Sequence, residues 1–291
     1  MNILIWTDND LDGAASALLM KKLYGKKATK LTIHEVTELT VAGKFKAAKD
    51  TFGHYDVIYV LDLDLKEELI ELIDIDPVVV IDHHKQHKEI AHLYRNAKVI
   101  IEEETSCVKL IKRRFAKHLN LSSKHDDLFA LVDDYDCYNL RFKDSLKLNA
   151  VFWTLNAPKV ENFIKAFKDG YREFTIHEKN AIKLYLKKCK AQIESAETYD
   201  GNIKGNKIIA VFADYAINEV AQYFIKKHKA DIGIVINLKS HTVSFRRSKK
   251  SKADVSVLAK ALCEGGGSAA AAGGRLTDRF ADLTKNFNPC K

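Results

Sequence analysis

MNILIWTDNDLDGAASALLMKKLY, residues 1–24, sets the reading of the fold. Residues 3–6 form a short apolar run without polar interruption, the pattern of a strand buried on both faces. From 13 to 24 apolar residues recur at helical spacing. Between the two, TDNDLDG puts Asp8, Asp10 and Asp12 at alternate positions before Gly13. Strand, acidic turn and helix make one βα unit, and the chain repeats it. Residues 57–61, 78–81 and 99–101 read as further buried strands, with 31–36 as a weaker one. Residues 66–73 and 106–118 have helical spacing between them. This alternation predicts an α/β fold, a doubly wound parallel sheet whose site lies beyond the carboxyl ends of the strands.

The strand ends carry the chemistry. Three carboxylates within one turn repel each other unless a cation lies among them. Asp62 and Asp64 follow the strand at 57–61, and Asp82, His83 and His84 follow the one at 78–81. In a parallel sheet such turns converge on one edge. A further acidic stretch, LVDDYDCYNL at 131–140, supplies Asp133, Asp134 and Asp136. Carboxylates with one imidazole and no thiolate suit Mn²⁺ or Mg²⁺ rather than structural zinc. The ligand supply suffices for two ions with a bridging carboxylate, an arrangement that serves phosphoryl displacement. The five cysteines show no CxxC spacing and read as reduced thiols.

The second half of the chain has a different character. Residues 178–197 form a long amphipathic helix rich in lysine, a connector between domains. Strands at 208–212, 232–236 and 242–245 begin a second, smaller α/β unit. Near the end, CEGGGSAAAAGGRL (263–276) offers a glycine run through which backbone N–H groups approach an anion, and alanines read as a helix whose N-terminus favours phosphate. Arg246, at the end of its strand, is placed to grip phosphate in bidentate fashion. The expected organisation is a catalytic domain at 1–150, a helical connector at 151–197 and a substrate-binding domain at 198–291.

Charge divides the same way. Residues 1–150 hold 22 Lys/Arg against 25 Asp/Glu, while 151–291 hold 25 against 14, within an overall net of +8. An acidic half beside a basic half fits a metal-holding domain joined to a phosphate-gripping one. Phe163, Phe167, Tyr171 and Phe174 are aromatics among basic residues that could stack on bases, but their spacing of three and four favours a helix core. No stretch is long and apolar enough for a bilayer, and the N-terminus lacks a basic leader, so the expected location is cytoplasmic with no membrane partner.

DxDG after the first strand, Asp62, Asp82-His83-His84 and a downstream aspartate together resemble the DHH phosphoesterase superfamily. The DxDxDG form, with Asp8 leading, is similar to RecJ-type exonucleases, while many relatives carry histidine near that place; the whole pattern resembles RecJ-like or nano-RNase-like nucleases. VSFRRS followed by LAKALCEGGGSAAAAGG resembles the DHHA1 substrate-binding domain, whose usual motif is GGGH then AAG. The resemblance implies two divalent ions, Mn²⁺ preferred and Mg²⁺ possible. Asp10 and Asp62, with Asp8, would hold one. Asp12, Asp62, His83 and Asp134 would hold the other, with Asp62 bridging and His84 outside, orienting a ligand or touching the phosphate. Asp134 is preferred over Asp133 and Asp136 because it leaves Tyr138 at the family's aromatic position; Asp64 is the alternative to Asp62. Catalysis would rest on Asp62, His83 and His84, and substrate binding on Arg246, Gly265, Gly266, Gly267 and Ser268. Ser268 departs from the family's histidine. The implied activity is an exonuclease on single-stranded DNA or short RNA oligonucleotides releasing mononucleotides. The alternatives are a small-nucleotide phosphoesterase and a nucleic-acid-binding module with a decayed site.

Overall fold

The computed structural model describes residues 1–37, 40–102, 106–284 and 287–290. Its contacts divide the chain into two compact units, Met1–Ile182 and Lys183–Lys291. In the first, β1 (Asn2–Asp8), α1 (Leu11–Tyr24), β2 (Lys30–Val36), α2 (Val41–Ala48), β3 (Val57–Leu61), α3 (Glu67–Ile73), β4 (Val78–Asp82), α4 (Lys85–Ile90) and β5 (Lys98–Ile101) follow in order. The strands form one wholly parallel sheet, ordered β2-β1-β3-β4-β5. Leu4, Trp6, Ile58, Val60, Val78 and Val80 pack on one face with Phe45, Phe52 and Ile73. Ile3, Ile5 and Ile81, the alternate positions, are also fully buried. Burial on both faces is why these strands read as unbroken apolar runs.

Among the described residues, five more α-helices begin in this unit, the first four being α5 (Cys107–Arg114), α6 (Ser123–Asp136), α7 (Ser145–Thr154) and α8 (Lys159–Phe167). They are followed by α9 (Ile176–Ser195). α1 lies against α5, α6 and α8, and eleven of its residues are buried. It is therefore apolar nearly all round. The domain boundary expected at 150 falls inside α7. α8 buries Val160, Phe163, Ile164 and Phe167 and touches α1 and β2, so it belongs to the first unit. Phe163 and Phe167 are core residues, each 0% exposed.

The second unit comprises the end of α9, then β6 (Thr198–Ile203), β7 (Asn206–Phe212), α10 (Ile217–His228), β8 (Ile232–Asn237) and β9 (Thr242–Arg247). After these come α11 (Val255–Cys263), β10 (Gly266–Gly267), β11 (Ala271–Arg275), α12 (Asp278–Thr284) and β12 (Asn288–Pro289). Its sheet has the order β10-β11-β9-β8-β7-β6-β12, parallel only between β7 and β8. The alanine run expected to open a helix forms β11 instead, pairing Ala271 with Arg246 and Ala272 with Phe245. Close backbone approach explains the small residues. A Cβ on Gly265 would meet the Gly273 carbonyl oxygen at 1.9 Å, and one on Gly274 would meet that of Cys263 at 2.5 Å. Among the described residues, no helix is long and apolar enough to cross a membrane.

Candidate metal centre

β1 connects outward to β2, whereas β3 and its successors lie on β1's other side. The strand order therefore reverses between β1 and β3, which opens a crevice at their carboxyl ends. The acidic turn after β1 enters that crevice. Asp10 caps α1, its Oδ1 accepting the Gly13 amide at 2.8 Å. Gly13 has no side chain because a Cβ there would meet the Asp8 carbonyl oxygen at 2.3 Å. Asp12, 1% exposed, accepts the Cys107 and Val108 amides at 2.6 and 3.0 Å at the start of α5. Asp8 accepts the Asn9 amide at 2.8 Å.

Asp62 directly follows β3 in the left-handed region, with φ of 56°, while its amide still donates to the Ile81 carbonyl at 3.0 Å. A strained backbone conformation at a buried aspartate marks a position whose side chain is being aimed. His83 is its neighbour. The His83 Nε2 lies 3.2 Å from Asp62, 3.8 Å from Asp136 and 3.9 Å from Asp12. Asp82 is fully buried and organises the rest. Its Oδ1 accepts the His83 amide at 2.8 Å and His84 Nδ1 at 2.7 Å. Its Oδ2 accepts His87 Nδ1 at 2.8 Å, and His87 Nε2 accepts the Tyr94 hydroxyl at 2.8 Å. Nothing in the spacing of residues 82–94 identified His87 and Tyr94 as part of this network.

The downstream aspartate differs from expectation. Asp134 turns both oxygens to its own loop, accepting from the Arg141 amide and Nε, the Phe142 amide and the Ser145 hydroxyl at 2.7–3.2 Å. Asp136 faces His83 instead. Two residues on a helix stand about 200° apart around its axis, so one of the pair faces away. Asp133 is held by Ser106 and Lys109. Asp64 lies close enough to sense His84 and Asp82, with burial first raising its pKa.

Electrostatics test the fit of a cation. Burial, then Asp62 and two further carboxylates, pushes Asp10 well above the usual range. Asp12 is raised by burial, Asp62 and Asp136. Burial carries Asp136 up to about 6 despite the His83 imidazole. Burial opposes charge on His84, yet Asp82 draws it up to about 10. Buried carboxylates crowded this way gain most from a divalent cation among them. Donor atoms of Asp62, Asp82, His83 and His84 lie within 4.8 Å of one another, as do those of Asp12, His83 and Asp136. The nearby thiols stay protonated: burial and neighbouring carboxylates push Cys107 well up and Cys137 up to about 12. The donor set is hard, oxygen-rich with imidazole, and fits Mn²⁺ or Mg²⁺.

In the second unit, Arg246 Nε donates to Asn218 at 2.7 Å and Nη1 to the Phe245 and Ala272 carbonyls. Gly265 precedes β10, and Gly266 and Gly267 form it, Gly267 with φ of 130°. The Ser268 hydroxyl closes the β10–β11 turn, accepting the Ala270 and Ala271 amides at 3.3 and 3.1 Å.

No curated protein sequence matches the chain. Solved structures that share its fold include the following three. An exopolyphosphatase-related protein from Bacteroides fragilis is 12% identical, with 98% of this chain and 90% of that one covered and a TM-score of 0.57. Exonuclease RecJ bound to manganese is 12% identical, with 98% and 88% covered and a TM-score of 0.56. The DHH domain of a member of a ribosomal protein family is 14% identical, with 99% and 87% covered and a TM-score of 0.58. The model of the DHH family, N-terminal domain, matches residues 2–132, which span the acidic turn, Asp62 and the Asp82-His83-His84 triplet. Residues 2–132 of this chain are thus a DHH-family N-terminal domain.

Proposed function

We propose that this chain is a metal-dependent phosphoesterase that releases mononucleotides from the ends of single-stranded DNA or short RNA oligonucleotides. The observation that carries this reading is the convergence of Asp10, Asp12, Asp62, His83, His84 and Asp136 at the switch point of the parallel sheet. Asp10 and Asp62, with Asp8, would hold one divalent ion, and Asp12, Asp62, His83 and Asp136 a second. Such ions supply Lewis acidity and a water activated at neutral pH. Asp82 fixes His84 through Nδ1. The Nε2–H of His84, cationic at neutral pH, would donate to a non-bridging phosphate oxygen. The basic composition of residues 151–291 supports an extended polyanion over a lone phosphate. Mn²⁺ is the expected ion, with Mg²⁺ a substitute.

The test joins calorimetric Mn²⁺ titration to turnover of end-labelled DNA and RNA of graded length, with cyclic dinucleotides, pAp-like nucleotides and pyrophosphate alongside. Release of mononucleotides from the oligonucleotides is expected. A metal-loaded protein that splits only pyrophosphate or a small nucleotide would replace this reading with the small-substrate one.

A further inference from the structure

We infer that one end of the second unit's sheet is a phosphate-tracking surface for single-stranded nucleic acid. The inference rests on the proposed function and names a surface of the second unit, taken by itself, for the same substrate class.

Three basic segments, far apart in sequence, meet at Asp231. Its carboxylate accepts the Lys207 amide at 2.9 Å, and its own amide donates to the Lys207 carbonyl at 2.8 Å. Its carbonyl accepts the Ser248 amide at 2.8 Å. Lys207 Nζ in turn donates to the His228 carbonyl at the end of α10. The register agrees: Ile232 pairs with Ile208 on one side and with Arg247 on the other. The start of β7, the start of β8 and the end of β9 thus share one end of the sheet. Residues 207, 226–231 and 247–254 bring eight Lys/Arg there against two aspartates. Asp231 is occupied as described, and Asp254 caps α11 through the Ser256 amide. Lys226, Lys227, Lys229, Lys249, Lys250 and Lys252 are all exposed.

Lysines at a helix C-terminus are often only complements of its dipole. Two features go beyond that. Lys249, Lys250 and Lys252 lie in a loop, not on α10. Tyr223, 44% exposed, stands one helical turn before Lys226 and Lys227, on the same face. An exposed ring beside flexible cations offers a base a stacking platform and its phosphates a counter-charge, which suits an unpaired strand. The β10–β11 turn lies at the same end, since the Arg247 amide donates to the Ala270 carbonyl at 2.8 Å. The Ser268 turn therefore borders this end of the sheet, whereas the Arg246 guanidinium reaches Asn218 at the start of α10.

The full chain is compared with two variants, Lys249→Ala/Lys250→Ala/Lys252→Ala and Tyr223→Ala, by fluorescence anisotropy on a single strand of about 15 nucleotides. Unfolding midpoints near the parent's verify that both fold. The triple variant should bind at least about tenfold more weakly, with a log K against log salt slope shallower by about 2. Tyr223→Ala should weaken binding about tenfold with the slope unchanged. Affinity and slope equal to the parent's in the triple variant would overturn the inference. So would a loss of binding to phosphatidylserine vesicles with oligonucleotide binding intact, since that points to a membrane surface. Mn²⁺-dependent dinucleotide turnover by the parent chain tests the phosphoesterase reading separately. Its failure with the binding results as expected would remove the chemistry and leave the surface.

Discussion

Asp134 and Asp136 lie two positions apart yet belong to different parts of the protein's physics. Asp136, beside His83, faces carboxylates that a cation would reconcile. Asp136→Asn should lower Mn²⁺ affinity at least about tenfold and turnover about a hundredfold or more, with the metal-free unfolding midpoint unchanged or raised, because like-charge crowding is relieved. Asp134 holds a loop. Asp134→Asn sets an amide against donors and should cost roughly 2–4 kcal/mol in chemical denaturation while leaving metal stoichiometry intact. The reverse pattern would return the ligand role to Asp134. His87 acts at one remove. His87→Leu deprives the buried Asp82 Oδ2 of its donor, so a loss of about 3 kcal/mol of stability is expected, together with slower turnover as His84 loses its fixed partner.

Elements are joined by single side chains that answer to pH or to turn geometry. Asp74, at the end of α3, accepts the amides of Arg95, Asn96 and Ala97 before β5, and these hydrogen bonds lower its pKa against a burial effect that would raise it. A depressed folded pKa contributes stability above the unfolded value, about 3.9, and loses it as pH falls through the folded one. Asp74→Asn should therefore lower the unfolding midpoint clearly at pH 7. The difference from the parent should shrink as pH falls below about 3.9; a gap that stays constant would refute the assignment. Ser268 closes the β10–β11 turn. Ser268→Ala and Ser268→His should each cost about 1 kcal/mol in thermal melts, because both lose the hydroxyl acceptor. An imidazole there would exchange turn closure for a longer reach.

Across the whole molecule, the boundary between units follows packing rather than charge. A chain ending at residue 150 interrupts α7 and removes α8, whose buried phenylalanines are worth about 1.5–3 kcal/mol each. That fragment is expected to lack a cooperative melt, whereas one ending at residue 182 should melt cooperatively and bind Mn²⁺ like the parent. Circular dichroism and calorimetry on the two fragments decide it; equal cooperativity would show that α8 is dispensable.

The parallel sheet was legible because strands buried on both faces have no polar alternation to blur them, and 57–61 and 78–81 stood out as apolar runs ended by acid or histidine. Because parallel strands end on one edge, the meeting of Asp8, Asp10, Asp12, Asp62 and Asp82-His83-His84 followed from the chain itself. Tertiary structure decided the rest. Whether Asp134 or Asp136 reaches His83 depends on how α6 is rotated against α1 and α5, which local spacing does not encode. The glycine–alanine run could open a helix or slip between backbones. Only the pairing of β11 with β9 and the space left by α11 chose the second. Likewise α8 has the amphipathic pattern of a connector. It joins the first unit because α1 offers its apolar face a partner, and burial of that face outweighs exposure to water.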